Sequence, residues 1–194
     1  DFDNDGDPGY LAGNLGRNSV LQASENEPVS IYAKDFDANG SIDPIISRYV
    51  QGKEYPVHYR ETMTEQIVRL RKLLKSYSEY GQMEMSGVIR YLGDTEMIVK
   101  RADYFESCFI KNLGNGDFSL HALPLSIQVS PINAFSICNL NGDSYLDFLA
   151  VGNSFSEETL SGYYDVGIGV YPLGKCDGTF EIVAAKKSGF CVRS

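Results

Sequence analysis

Asp35-Phe36-Asp37-Ala38-Asn39-Gly40-Ser41-Ile42-Asp43 (DFDANGSID) places side-chain oxygens at its first, third and fifth positions and a carboxylate at its ninth, and the apolar pair Ile45-Ile46 follows. Two other stretches repeat the pattern. Asp1–Gly9 (DFDNDGDPG) precedes Tyr10-Leu11-Ala12, and Asn139–Asp147 (NLNGDSYLD) precedes Phe148-Leu149-Ala150-Val151. Self-similarity of this kind marks a repeat architecture, in which each copy is one supersecondary unit. A second element recurs downstream. NLGNGDF (112–118) and PLGKCDGTF (172–180) set Asn115-Gly116 and Asp177-Gly178 ahead of a Phe, and both dipeptides suit tight hairpin turns. One repeat therefore reads as loop, strand, connection, strand, hairpin, strand.

Oxygens at alternate positions of a tight turn surround a hard cation from one side. Calcium takes roughly six to eight oxygens at about 2.3–2.6 Å and tolerates irregular geometry. The second loop offers Asp35, Asp37, Asn39, the carbonyl of Ser41 and Asp43; the third offers Asn139, Asn141, Asp143, the carbonyl of Tyr145 and Asp147. The first offers Asp1, Asp3, Asp5 and the carbonyl of Asp7, with Gly9 supplying no carboxylate. Up to three Ca2+ ions are expected, the Asp35–Asp43 loop being the most complete site. An EF-hand would need Glu at position 12 and helices on both sides. Ala12, Ile46 and Ala150 stand at that position and strand-like residues follow, so the EF-hand is excluded.

The 194 residues carry 17 basic and 26 acidic side chains, a formal charge of −9. The nine acids of the three loops equal that whole excess, and crowded carboxylates repel one another unless a cation joins them. No basic tract exists to displace counterions from phosphates, which argues against a nucleic-acid partner. No apolar run is long enough to span a membrane. Nineteen glycines, 13 tyrosines and no tryptophan suit a turn-rich, mainly β chain. Cys108, Cys138, Cys176 and Cys191 lack zinc-site spacing and read as free thiols, with one or two bridges open to a secreted chain. The chain opens at Asp1, inside a repeat, as a processed or cut product would.

Asp43 to Phe118 spans 75 residues whereas Asp147 to Phe180 spans 33, and the difference of 42 reads as an insertion in the middle unit. Thr62 with Glu65 and Ser76 with Glu79 are capping-box starts, and Ile67, Leu70, Leu74 and Tyr77 follow helical spacing. Two or three short helices are expected over about 60–93. The organisation is a single segment, 1–194, with a truncated unit over 1–34, a unit over 35–120 holding the helical insertion, and a unit over 139–182. Arg69, Arg71, Lys72 and Lys75 read as a solvated basic face of that insertion.

The D-x-D-x-D/N-G-x-x-D loops leading into strands, with their N-x-G-x-G-x-F hairpins, resemble the FG-GAP/VCBS repeats of integrin α-like β-propellers. The stretch EPVSIYAKDFDANGSIDPIISRYVQGKEYP (27–56) is similar to large bacterial secreted members of ASPIC/UnbV type, which carry a helical insertion near this point. The resemblance implies propeller blades, structural calcium between strands and an exported location. A closed propeller takes four to eight blades, so the expected architecture is a partial propeller whose outer strands stay open or pair edge to edge with another copy.

The expected function is a non-enzymatic, calcium-stabilised propeller segment that presents a binding or adhesion surface to a protein or glycan ligand. A propeller-type carbohydrate-active enzyme is the alternative, but His58 and His121 are the only histidines, and no nucleophile elbow or metal-binding His pair occurs. A lectin-like role would use Tyr163-Tyr164 or the insertion to stack on sugars.

Overall fold

A computed structural model describes residues 1–93, 96–155 and 162–192. The chain is mainly β, built from small antiparallel sheets with a helical segment between two of the strands, and the described residues form no closed propeller. It divides into two compact units: Asp1–Ser19 with Phe105–Ser194, and Val20–Tyr104.

β1 (Tyr10–Ala12) follows the first loop. In the Val20–Tyr104 unit, β2 (Val29–Lys34) and β3 (Asp43–Val50) are joined by the second loop and pair from Lys34–Asp43 onward. β4 (Lys53–Pro56) returns through a two-residue turn at Gln51-Gly52, both at positive φ. The helical segment comes next: α1 (Arg60–Gln66), a 3-10 turn over Val68–Lys72, α2 (Tyr77–Gly81) and α3 (Met85–Leu92). β5 (Ile98–Ala102) then pairs with β2, giving the strand order β4-β3-β2-β5.

The helices cover this sheet because their apolar side chains meet its inner residues. Phe36 and Ile45 are buried with Met63, Ile67, Leu70, Leu74, Met85, Val88 and Leu92. Tyr77, expected on the same stripe, is exposed, and its ring instead faces the Arg60 guanidinium. The helical period is broken before it at Ile67, where φ −123° and ψ 88° end α1. Thr62 does not start a helix either: α1 begins at Arg60 behind Tyr59, which makes no side-chain cap. Ser76 and Glu79 do form a reciprocal capping box. Arg69, Arg71, Lys72 and Lys75 are exposed, as a solvated face requires. Arg69 also donates to the Leu92 carbonyl and Arg71 to the Thr64 carbonyl, supplying donors that terminal carbonyls lack within a helix, and Arg60 donates to the Leu74 and Lys75 carbonyls between the 3-10 turn and α2.

In the other unit, β6 (Cys108–Asn112) pairs on one side with β1 and on the other with β7 (Phe118–Ala122), through the Asn115-Gly116 turn. This hairpin therefore completes the sheet of the first loop, whereas the spacing from Asp43 had placed it with the second. The extra length is the whole Val20–Tyr104 unit, inserted between β1 and β6. β8 (Ala134–Cys138) and β9 (Asp147–Val151) flank the third loop. β10 (Tyr171–Gly174) and β11 (Phe180–Val183) form the second hairpin, and an antiparallel bridge from Ala150 to Val170 links the two pairs. The short helix α4 (Ala185–Ser188) follows. Phe2, Phe109, Phe148 and Phe180 pack edge to face around one centre, with ring separations from 5.0 Å for Phe148–Phe180 to 6.5 Å for Phe2–Phe148. Aromatic quadrupoles favour this arrangement over face-to-face stacking.

Candidate metal centre

The three repeated loops share two backbone features and differ at position 6, where Gly6 and Gly40 take positive φ (95° and 89°) and Ser144 does not. At position 4 each loop takes positive φ: 57° at Asn4, 62° at Ala38 and 78° at Gly142. Only the third uses glycine there; the other two accept left-handed strain that side chains usually avoid. The position-7 N–H then donates to the side-chain oxygen at position 5, from Asp7 to Asp5, from Ser41 to Asn39 and from Tyr145 to Asp143, at 2.8–3.0 Å. The first side chain closes each turn from within. Asp1 accepts from the Gly6 N–H, Asp35 from the Asn39 and Gly40 N–H groups, and Asn139 from the Gly142 N–H. Asp and Asn recur at these positions because short polar side chains satisfy turn N–H groups locally.

Position 9 serves the loop as well as any cation. Asp43 is buried and its Oδ2 accepts from the Phe36 N–H at 2.9 Å. Asp147 is buried likewise, and its Oδ2 accepts from the Leu140 and Asn141 N–H groups at 2.7 and 3.2 Å. Its Oδ1 accepts from the Gly174 N–H at 2.9 Å, which ties β10 to the third loop. A side chain at residue 174 would collide with the Leu146 carbonyl oxygen, so only glycine permits this approach. Gly9 has a comparable cause: a Cβ there would lie 2.6 Å from the Phe109 ring, leaving no room for a ninth-position carboxylate.

The second loop brings the carboxylate oxygens of Asp35, Asp37 and Asp43 within 4.8 Å of one another. Burial pushes the Asp43 carboxyl above the usual carboxylate range; the charges of Asp37 and Asp35 push the same way, against the pull of the Phe36 N–H. Asp37 Oδ1 is buried without any hydrogen-bond partner. An unsatisfied buried oxygen costs about 1–3 kcal/mol, more when charged. Asn39 and Ser41 are exposed beside these carboxylates. The donor set is all oxygen, which fits a hard divalent ion such as Ca2+. A bound ion would supply the positive charge that Asp37 lacks.

The first loop also gathers its carboxylates, those of Asp1, Asp3 and Asp5, within 4.8 Å. Here a protein cation is present. Lys111 Nζ lies 2.5 Å from Asp3 Oδ2 and 3.3 Å from Asp5 Oδ2. Asp7 is exposed and contributes its N–H to Asp5. The Asp5 carboxyl is held below its ordinary value chiefly by that N–H, with Lys111 acting in the same direction. In the third loop the amides bond inward: Asn141 Nδ2 donates to Asp143 Oδ2 at 2.7 Å, and Asn139 Nδ2 to the Asp143 carbonyl at 3.0 Å. Tyr145 is half-buried at its seventh position. Lys111 carries no signal in the linear sequence, because only the β1–β6 register sets it across from Gly9.

The remaining candidates take structural roles. His58 Nε2 accepts the Ile46 N–H at 3.1 Å, and the His58 carbonyl accepts from the Tyr80 hydroxyl. His121 Nε2 pairs with Ser119 Oγ at 2.9 Å. Among the described residues the four cysteines form no disulfide; Cys108 is buried, while Cys176 and Cys191 are exposed. Tyr163 is 65% exposed with its ring 5.8 Å from that of Phe155, and Tyr164 bonds Ser19 through its hydroxyl. A cleft of about 510 Å³ is lined by Phe109, Lys111, His121, Asp177, Thr179 and Phe180 among others. Among the described residues no helix is long and apolar enough to cross a membrane. No protein-family model, curated protein or solved structure matches the chain.

Proposed function

We propose that this chain is a calcium-stabilised, non-enzymatic β-repeat segment of an exported protein, and that its Asp35–Asp43 loop holds structural Ca2+. The observation that carries this reading is Asp37 Oδ1, buried and unpartnered in a loop that also gathers Asp35 and Asp43. Blades of FG-GAP/VCBS type are supported by three loops that share a positive-φ fourth residue and a hydrogen bond from position 7 to position 5, two of them joining paired antiparallel strands. An exported setting suits the site, since millimolar calcium saturates sites of roughly 0.1–1 mM affinity.

Thermal unfolding in calcium and in chelator tests the proposal. A ligand at about 100 times its Kd adds about 2.7 kcal/mol, on the order of 5–10 °C in Tm for a chain of this size. Asp37→Asn abolishes the shift. Coincident melting curves with and without calcium would sink the calcium reading.

The surface it presents has open apolar strands: Phe118 and Leu120 on β7, and Ile98 and Val99 on β5, are exposed. They support edge-to-edge association with another copy, which light scattering would detect as a dimer. A glycan-binding role is favoured by the exposed Tyr163 beside Phe155. Glycan-array signal that disappears with Tyr163→Ala supports it, and an array without signal rejects it.

A further inference from the structure

The three loops share a positive-φ fourth residue and a hydrogen bond from position 7 to position 5, but satisfy their third position differently. In the second, Asp37 Oδ1 is buried and bare. In the third, the residue is Asn141, whose amide donates to Asp143 Oδ2. In the first, the Asp3 side chain is 8% exposed and receives the Lys111 ammonium, which reaches the fifth-position Asp5 as well. An ion bridging positions 3 and 5 would occupy the space that this ammonium holds.

We infer that Lys111 is the resident cation of the first loop, a covalently tethered substitute for a metal ion that confines calcium dependence to the second loop. The chain's topology delivers it. Antiparallel pairing of Tyr10 with Ile110 puts Lys111 one step further along, across from Gly9, where the other two loops carry aspartate. Loss of the ninth carboxylate and gain of an ammonium thus occur at facing positions. A divalent ion entering this loop must evict Lys111 and forfeit both ion pairs. The third loop, closed by its own amides, has no comparable demand. The inference rests on the calcium reading of the second loop only for the number of ions bound.

Calorimetric titration with CaCl2 on the full chain gives the test. The wild type is expected to bind one ion, and Asp37→Asn none. Lys111→Met is expected to bind two, and Lys111→Met combined with Asp37→Asn one. In chelator Lys111→Met melts several degrees below wild type, and calcium restores part of the loss. Lys111→Arg, which keeps a cation on Asp3 and Asp5, behaves as wild type and serves if the methionine variant does not fold. Amine acylation with peptide mapping reads the native chain directly: Lys111 stays protected in both chelator and 10 mM calcium. Calcium that exposes Lys111, or an ion bound by Asp37→Asn and lost on adding Asp5→Asn, would overturn the inference. An unchanged stoichiometry in Lys111→Met would do the same. If Asp37→Asn instead binds as many ions as wild type while Lys111 remains protected, the second-loop reading fails and the role of Lys111 stands.

Discussion

Phe36 shows how a single side chain couples a polar loop to a core. It follows Asp35 at the second loop position, is 4% exposed, and its N–H closes onto Asp43. Phe2 does the same for the first loop, entering the aromatic cluster with Phe109 and Phe180. Removing a buried Phe side chain costs about 3–5 kcal/mol. Phe36→Ala is therefore expected to lower stability by that amount in urea unfolding and to weaken calcium binding with it, because the loop loses its anchor. Leu140, at the equivalent position of the third loop, is exposed; Leu140→Ala is expected to change little. Tyr32 carries a separate pH signature. Burial first, then the charge of Glu54, pushes its phenol up to about 12, and the hydroxyl donates to both Glu54 oxygens. A folded-state pKa above the ordinary value near 10 means that stability from this group is full below about pH 10. It is lost as pH rises through 12. Absorbance titration at 295 nm checks this: Tyr32→Phe removes one late-ionising phenol and flattens the loss of stability between about pH 10 and 12.

Between elements, one amide joins pieces of chain that no periodicity connects. Gln128 lies just after the 3-10 turn Leu125–Ile127 and is 1% exposed. Its Oε1 accepts from the Ser107 N–H at 2.9 Å, and its Nε2 donates to the Ser107 and Leu123 carbonyls at 2.7 and 3.0 Å. Its own carbonyl accepts from the Arg17 and Asn18 N–H groups. The side chain thus stands in for strand pairing just before β6. Gln128→Leu keeps the volume but strands a buried donor, so about 2–4 kcal/mol of stability is expected to go. Denaturant titration measures the loss, and faster hydrogen exchange at the Ser107 amide locates it. An unchanged Ser107 exchange rate would contradict the role assigned to the amide.

For the molecule as a whole, insertion of one unit within another is made possible by where their chain ends lie. Val29 at the start of β2 pairs with Ala102 at the end of β5, so the inserted unit begins and finishes on neighbouring strands. On the host side the Gly16 N–H donates to the Phe105 carbonyl at 2.7 Å, so the chain leaves and re-enters at adjacent points. Closing a short loop across adjacent points is entropically cheap. A chain in which a short Gly-Ser linker replaces residues 20–104 is expected to fold, keeping near-UV circular dichroism from the Phe2–Phe180 cluster. Its Tm is expected to be the same in calcium and in chelator, since the second loop is gone. A variant that unfolds, or that still responds to calcium, would contradict this division of labour.

Three short strands and three turns were readable in the linear chain because their causes are local. Tyr10-Leu11-Ala12 and Phe148-Leu149-Ala150-Val151 lie where strand propensity puts them, and Ser76 with Glu79 caps a helix through contacts three residues apart. The alternating Asp and Asn side chains marked where the three turns lie, while their closure on their own N–H groups came from the folded backbone. Which hairpin completes which sheet was not, because β6 carries no mark that separates pairing with β1 from pairing with β3. Thr62 matched a capping template but lies inside a helix that starts two residues earlier, and Tyr77 matched a helical period that the chain breaks at Ile67. The presence of Lys111 on Asp3 and the bareness of Asp37 Oδ1 were decided by tertiary structure alone. Charge neutralisation acts through space, and the sequence separation of 108 between Asp3 and Lys111 is bridged only when two strands take register.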